Sequence, residues 1–177
     1  MKYVKIPKDR IGVLIGQNGE VKERLETMTQ TILVIDSETG EVLIDDHNCS
    51  DPLLGLKTDL IVRAIARGFS PEHAFSLLSD SNEFYLFDIH DYVGKKENHI
   101  RRLKARIIGT EGKTKRYLER LTGAHLSIYG HTIGVIVHID YLEITRHALD
   151  MLLTGSKHST VYAYVERQMK KLRTSTW

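Results

Sequence analysis

With 177 residues, 41% of them hydrophobic and 27% charged, the chain suits one ordinary domain or two small ones, and its composition excludes a disordered or fibrous protein. No apolar run reaches transmembrane length, residues 1–7 lack the apolar core of a signal peptide, and Cys49 is the single cysteine, so a cytoplasmic protein without membrane contact is expected. The net charge of +2 hides an asymmetry: residues 1–94 carry nine Lys and Arg against sixteen Asp and Glu (−7), and residues 95–177 carry sixteen against seven (+9), which predicts that one half meets an anion and the other does something different.

Residues 3–6 alternate and stop at Pro7, as a short strand does. Asp9 is placed to cap a helix running into Gly16, and a second helix is predicted from about Gly19 to Met28. Residues 31–36 and 41–45 are β-rich and flank Ser37-Glu38-Thr39-Gly40, which reads as a hairpin. Pro52 opens a helix carrying Leu53, Leu56, Leu60, Ile61, Ala64 and Ile65 at helical spacing; Gly68 ends it, and a short helix follows over 71–79. The polar cluster Ser79-Asp80-Ser81-Asn82 is the predicted boundary.

The second half repeats the order. A strand is predicted over 84–89, helices over 97–108 and 113–121, strands over 126–129 and 133–139, and helices over 141–153 and 160–172. A shift of 93 residues aligns the halves: Leu14-Ile15-Gly16-Gln17-Asn18-Gly19 falls on Ile107-Ile108-Gly109-Thr110-Glu111-Gly112, Leu25-Glu26 on Leu118-Glu119, and Val42-Leu43-Ile44 on Val135-Ile136-Val137. One such match could be chance; the set in one register indicates a duplicated domain. The expected fold is α+β, a β-α-α-β-β-α unit repeated over 1–80 and 81–177, each with an extra C-terminal helix.

Arg106-Ile107-Ile108-Gly109-Thr110-Glu111-Gly112, followed by Leu118 and Leu121-Thr122-Gly123-Ala124-His125-Leu126, closely resembles the KH signature. The element order matches the eukaryotic-type (type I) form of that domain, and the resemblance covers both repeats, although the first lacks the Thr-Gly-Ala element. Three positions after the last loop glycine, where many KH domains have an aliphatic residue, stand Lys22 and Lys115. Gly112-Lys113-Thr114-Lys115 and Arg67-Gly68-Phe69-Ser70-Pro71 are similar to a narrower family, the archaeal-type tandem KH ribosome-assembly factors that partner the Nob endonuclease. That resemblance implies binding near the 3′ end of small-subunit rRNA, a role in rRNA processing, and contact with the alpha subunit of initiation factor two.

In a KH fold the Gly-x-x-Gly loop lies along the backbone of about four nucleotides. Bare glycines admit the phosphates, and the following helix turns its free N–H groups toward them. The candidate RNA site is therefore Gly109, Thr110, Glu111 and Gly112 with Lys113, Lys115 and Arg116 beyond the loop and Arg101, Lys104 and Arg106 before it. Ile108, Leu118 and Leu126 are the candidate apolar floor. Residues 95–120 hold ten basic against three acidic side chains. The corresponding first loop, Gly16, Gln17, Asn18 and Gly19 with Lys22, is flanked by Glu20, Glu23 and Glu26 and is expected to be the weaker RNA site or a protein-docking surface. Glu111, inside the second loop, should repel phosphate unless it pairs with Arg116 or Lys115.

Other readings compete. Gly109 to Thr114 ends like a phosphate-binding P-loop, but position 107 is isoleucine and a helix, not a strand, precedes the loop. Gly12, Gly16 and Gly19 lack dinucleotide-fingerprint spacing. No set of His, Cys and Asp shows zinc-ligand spacing: His47, Cys49 and Asp51 read as a solvated turn, and His90, His99 and His131 as ordinary loop residues. The expectation is a non-catalytic protein without metal or cofactor. An adaptor that uses KH folds to bind proteins, and a general KH factor of translation or RNA decay, remain as alternatives.

Overall fold

The alternation ahead of Pro7 does form a strand. In the computed structural model, which describes residues 1–175, β1 spans Lys2–Lys5 and buries Val4. The last two residues of the predicted second domain, 176 and 177, lie outside the described residues. The chain divides into two compact units, Met1–Asp80 and Ser81–Trp177.

In the first unit β1 leads to α1 (Lys8–Ile15), a single 3₁₀ turn at Gln17–Gly19 and α2 (Glu20–Thr29). Strands β2 (Ile32–Ile35) and β3 (Glu41–Asp45) follow, then α3 (Pro52–Ala66) and α4 (Pro71–Phe75). The sheet has the antiparallel order β1-β3-β2, with Leu43 opposite both Tyr3 and Val34. Its other face buries Val4, Leu33, Val42 and Ile44 beside Leu14, Leu25, Ile61 and Ile65 of the helices.

Local chemistry accounts for most of the boundaries. Pro52 occupies the first turn of α3 and Asp51 Oδ1 accepts the N–H of Leu53 at 2.9 Å. In the hairpin, Asp36 Oδ1 accepts the N–H groups of Glu38 and Thr39 at 2.8 and 3.2 Å. The Thr39 side chain, with these amides, holds the Asp36 carboxyl below the ordinary aspartate range. One expectation is corrected: Asp9 does not cap α1, which begins a residue earlier behind Pro7 with no side-chain cap. Proline fixes an extended entry there, and Asp9 sits inside the first turn.

In the second unit β4 (Asn82–Asp88) runs into a short helix that the pattern did not predict, α5 (His90–Val93). Next come α6 (Glu97–Ile108), a 3₁₀ turn at Thr110–Gly112, α7 (Lys113–Thr122), β5 (His125–Tyr129) and β6 (Thr132–His138). Helices α8 (Leu142–Leu153) and α9 (His158–Ser175) close the unit. The sheet is again antiparallel, in the order β4-β6-β5. Its core joins Ile107, Leu118, Leu126, Ile133 and Val135 to Leu149 and Leu152 of α8 and to Val161 and Val165 of α9. The molecule is thus mixed α+β, with two three-stranded sheets. Among the described residues no helix is long and apolar enough to cross a membrane.

Candidate nucleic-acid interface

The interface is built around the end of α6. The Gly109 N–H donates to Ala105 O at 2.8 Å, and its φ of 74° with ψ of 173° turns the chain out of the helix. Glu111 (φ 54°) and Gly112 (φ 73°) follow in left-handed conformations, and α7 starts at once. The two glycines do different work. A Cβ on Gly109 would lie 2.3 Å from Thr114 Oγ1 and 2.7 Å from the Thr114 nitrogen, so this position is closed by the fold itself. A Cβ on Gly112 would meet only the Arg116 guanidinium, at 3.4 Å. Position 112 leaves bare backbone at the surface, at the positive end of α7, whose first turn holds no acidic residue.

A cleft of about 600 Å³ opens along α6. Ile100 and Ile108 supply apolar surface, Arg101 and Lys104 cationic surface, and His90 and His131 line it as well. Leu118 and Leu126, expected on the floor, are only 1% and 4% exposed. They are core residues, because α7 and β5 turn these positions inward; Ile108, which the cleft reaches, remains of the predicted floor.

The predicted cations divide likewise. Arg101, Lys113 and Arg116 are exposed beside the cleft and the loop. The Arg106 guanidinium is turned inward: its Nε donates to Leu152 O at 3.0 Å and its Nη2 to Ser156 O, tying α6 to the end of α8. Lys115 lies 3.1 Å from Glu119, whose carboxylate also accepts the Leu126 N–H at 2.9 Å. Each side chain thus has a partner within the unit as well, Arg106 at the end of α8 and Lys115 at the surface of α7, and Arg106 also lines the cleft behind the loop. Glu111 is exposed at the loop tip, and among the described residues it forms no ion pair with Arg116 or Lys115.

A second cleft, of about 400 Å³, lies behind the loop and is lined by Arg102, Gly109, Thr110, Lys113 and Tyr162. Helix α9 supplies residues that the sequence reading missed. The Tyr162 hydroxyl donates to Thr114 Oγ1 at 3.0 Å and its ring packs 4.3 Å from that of Tyr117, while His158 Nε2 meets Arg106 O at 2.9 Å. The Tyr117 hydroxyl donates to Glu166, and that bond together with burial raises its pKa above the ordinary tyrosine value. No short-range pattern marks these residues, since α9 reaches the loop from about 50 positions away.

The first loop has nearly the same backbone: Gly16 at φ 76°, ψ 175°, Asn18 at φ 53° and Gly19 at φ 80°. A Cβ on Gly16 would strike Val21 at 2.4 Å, whereas one on Gly19 would meet nothing within 4 Å. Lys22 lies 3.1 Å from Glu26, and Glu26 accepts the Leu33 N–H at 2.7 Å, which repeats the Lys115–Glu119–Leu126 bridge. Exposed Glu20, Glu23 and Asn18 surround it. In the turn that follows β3, His47 pairs with Asp45 at 2.6 Å, and the Cys49 thiol donates to Thr29 O and Gln30 O.

The profile of the second KH domain of PNO1, a eukaryotic-type (type I) KH domain, matches residues 83–170. A KH domain-containing protein of Methanocaldococcus jannaschii is 43% identical over 173 residues, covering 98% of this chain and 76% of the relative. The RNA-binding protein pno1 of Dictyostelium discoideum is 25% identical over 166 residues, covering 92% of this chain and 69% of its own length. Among solved structures, a chain of the a/eIF2alpha–aDim2p–rRNA complex of Pyrococcus horikoshii is 43% identical with a TM-score of 0.89, matching 96% of this chain and 94% of that one. With identity at this level across nearly the whole length, the chain belongs to the PNO1/Dim2 family of KH-domain proteins.

Proposed function

We propose that the protein is a non-catalytic single-stranded RNA-binding factor of ribosome assembly, and that it holds the 3′ end of small-subunit rRNA in the cleft of its second unit. The observation that carries the reading is the bare, left-handed backbone at Gly112, set between exposed Lys113 and Arg116 and beside a cleft whose wall is Arg101 and Lys104. Phosphates lie along the loop, counterions are released, and bases splay onto Ile100 and Ile108. The names of the relatives support the same reading: several are pre-rRNA-processing or RNA-binding proteins, and the Pyrococcus structure holds rRNA together with a/eIF2alpha and aDim2p.

In this reading both units are type I KH domains in tandem, because the first has the same element order and the same loop backbone. The first serves as the weaker RNA site or as a protein-docking surface. The Nob endonuclease and the alpha subunit of initiation factor two are the proposed protein partners, and the cytoplasm the proposed compartment. Crosslinking in cell extract followed by sequencing of the attached RNA tests the function directly. Reads concentrated at the 3′ end of small-subunit rRNA are expected. Reads spread over unrelated transcripts would favour a general KH factor, and absence of crosslinked RNA would favour a protein adaptor.

A further inference from the structure

We propose that Asp88, His90 and His131 form a binding site for a single divalent transition-metal ion of the zinc class, at the edge of the second unit's cleft. Strand pairing assembles the three residues. Asp88 ends β4 opposite Thr132, which brings His131 of the tight β5–β6 turn beside it. The Ile89 N–H extends the ladder by donating to His131 O at 2.8 Å, and the His90 N–H fixes the carboxylate by donating to Asp88 Oδ1 at 2.9 Å.

Within this frame His90 Nδ1 lies 3.4 Å from Asp88 Oδ1, and His131 Nε2 lies 3.8 Å from Asp88 Oδ2. One donor atom from each residue falls within 4.8 Å of the other two. A tetrahedral ion with bonds of about 2.0–2.1 Å needs its donors about 3.3 Å apart, so closing the set takes a χ rotation of an exposed histidine ring. The two imidazoles stack face to face, 4.2 Å between centroids and 12° between planes, so one ring has to swing out of the stack before both nitrogens point at a shared ion.

Two imidazoles and one carboxylate make a donor set suited to zinc, nickel or cobalt rather than to magnesium or calcium. The side chains are 28% (His90), 41% (Asp88) and 42% (His131) exposed, which leaves an entry path from solvent. Three protein donors leave one tetrahedral position for water or for a ligand in the cleft, which both histidines line. The first unit has nothing equivalent: position 38, which aligns with His131, is glutamate, and β1 ends in Lys5 directly before Ile6 and Pro7.

The experiment is calorimetric titration of the full chain with zinc chloride at neutral pH. One saturable equivalent is expected, weakened at least about tenfold by His131→Ala or by His90→Ala. His47→Ala, which opens the exposed Asp45–Asp46–His47 group, should leave that equivalent unchanged. Two readings need no substitution: cobalt(II) bound to the wild-type chain should show the visible bands of a four-coordinate ion, and zinc should shift the His90 and His131 ring protons. Absence of saturable binding overturns the proposal, as do proton shifts confined to His47 or an equivalent lost in His47→Ala and kept in His131→Ala. None of these measurements uses RNA, so their failure leaves the RNA-binding reading standing.

Discussion

Two loops in this molecule share one backbone and differ in charge. Gly16 and Gly109 agree within a few degrees in φ and ψ, and so do Asn18 and Glu111. Yet Glu20 stands where Lys113 stands, Glu23 where Arg116 stands, and Asp9 where Arg102 stands. The second unit also gains α5 and an additional turn of α6, Glu97–Ile100, with no counterpart ahead of α1. One Gly-x-x-Gly backbone is therefore compatible with opposite surface charge. On the proposed reading, an anion site needs in addition the cations at the first and fourth positions of the following helix and the lengthened basic helix before it.

The largest expected effect breaks the second loop without disturbing its frame. Gly112→Asp places a carboxylate beside the Arg116 guanidinium at a left-handed position that Asp visits at a cost of about 1 kcal/mol, so the variant should stay folded with a melting temperature a few degrees lower. Affinity for a single-stranded RNA should fall about thirtyfold, or about 2 kcal/mol, through repulsion of phosphate. Gly19→Asp, in the same geometry, should cost less than about threefold if, as proposed, the neighbouring glutamates leave that loop the weaker RNA site. Equal losses in filter binding would reject the ranking of the two loops.

Arg101→Ala with Lys104→Ala should weaken binding about tenfold and reduce the slope of log affinity against log salt by about 1.4, for two phosphate contacts on a single strand. An unchanged slope would mean that the wall of the cleft does not touch phosphate. The converse experiment sharpens the comparison. Glu20→Lys with Glu23→Arg, made in the Gly112→Asp background, should recover a few-fold of affinity if the first loop lacks charge and nothing else. No recovery would indicate that the missing turn of helix matters more.

The repeat made much of this legible. A 93-residue shift carried the element order, the loops and the core positions, because apolar spacing and glycine punctuation are local signals. What it missed depends on contacts between distant segments. Leu118 and Leu126, expected on the groove floor, belong to the core, and the sequence gives no sign that Arg106 also grips the end of α8. The stacking of His90 on His131 joins residues 41 apart in the sequence, which only the strand register brings together. The first unit also seemed to lack the Thr-Gly-Ala helix stop. Thr29, Gln30 and Thr31 make the same stop: Thr29 Oγ1 donates to Leu25 O at 2.7 Å, as Thr122 Oγ1 does to Leu118 O, and Gln30 takes the left-handed position of Gly123 at φ 56°. A non-glycine there costs about 1 kcal/mol, and without the glycine the stop carries no sequence signature.

The smallest expected effect on RNA separates charge from architecture. Arg10 and Arg106 do not align in the repeat, yet each forks onto carbonyls at and just past the C-terminal end of a helix, α3 for Arg10 and α8 for Arg106. Arg10 donates to Ile65 O at 2.8 Å and Phe69 O at 2.6 Å, and Arg106 to Leu152 O and Ser156 O. Removing either guanidinium strips two charge-assisted bonds from partly buried carbonyls and should cost about 1.5–3 kcal/mol of stability. If Arg106 acts only in this way, Arg106→Ala should lower the thermal midpoint as Arg10→Ala does while changing RNA affinity less than about twofold, because its Nε and Nη2 are already committed to those carbonyls. A binding loss in Arg106→Ala as large as that of the Arg101 and Lys104 pair, at a temperature where the variant remains folded by circular dichroism, would return Arg106 to the RNA surface and make the second loop's advantage depend on one more cation than its exposed side chains supply.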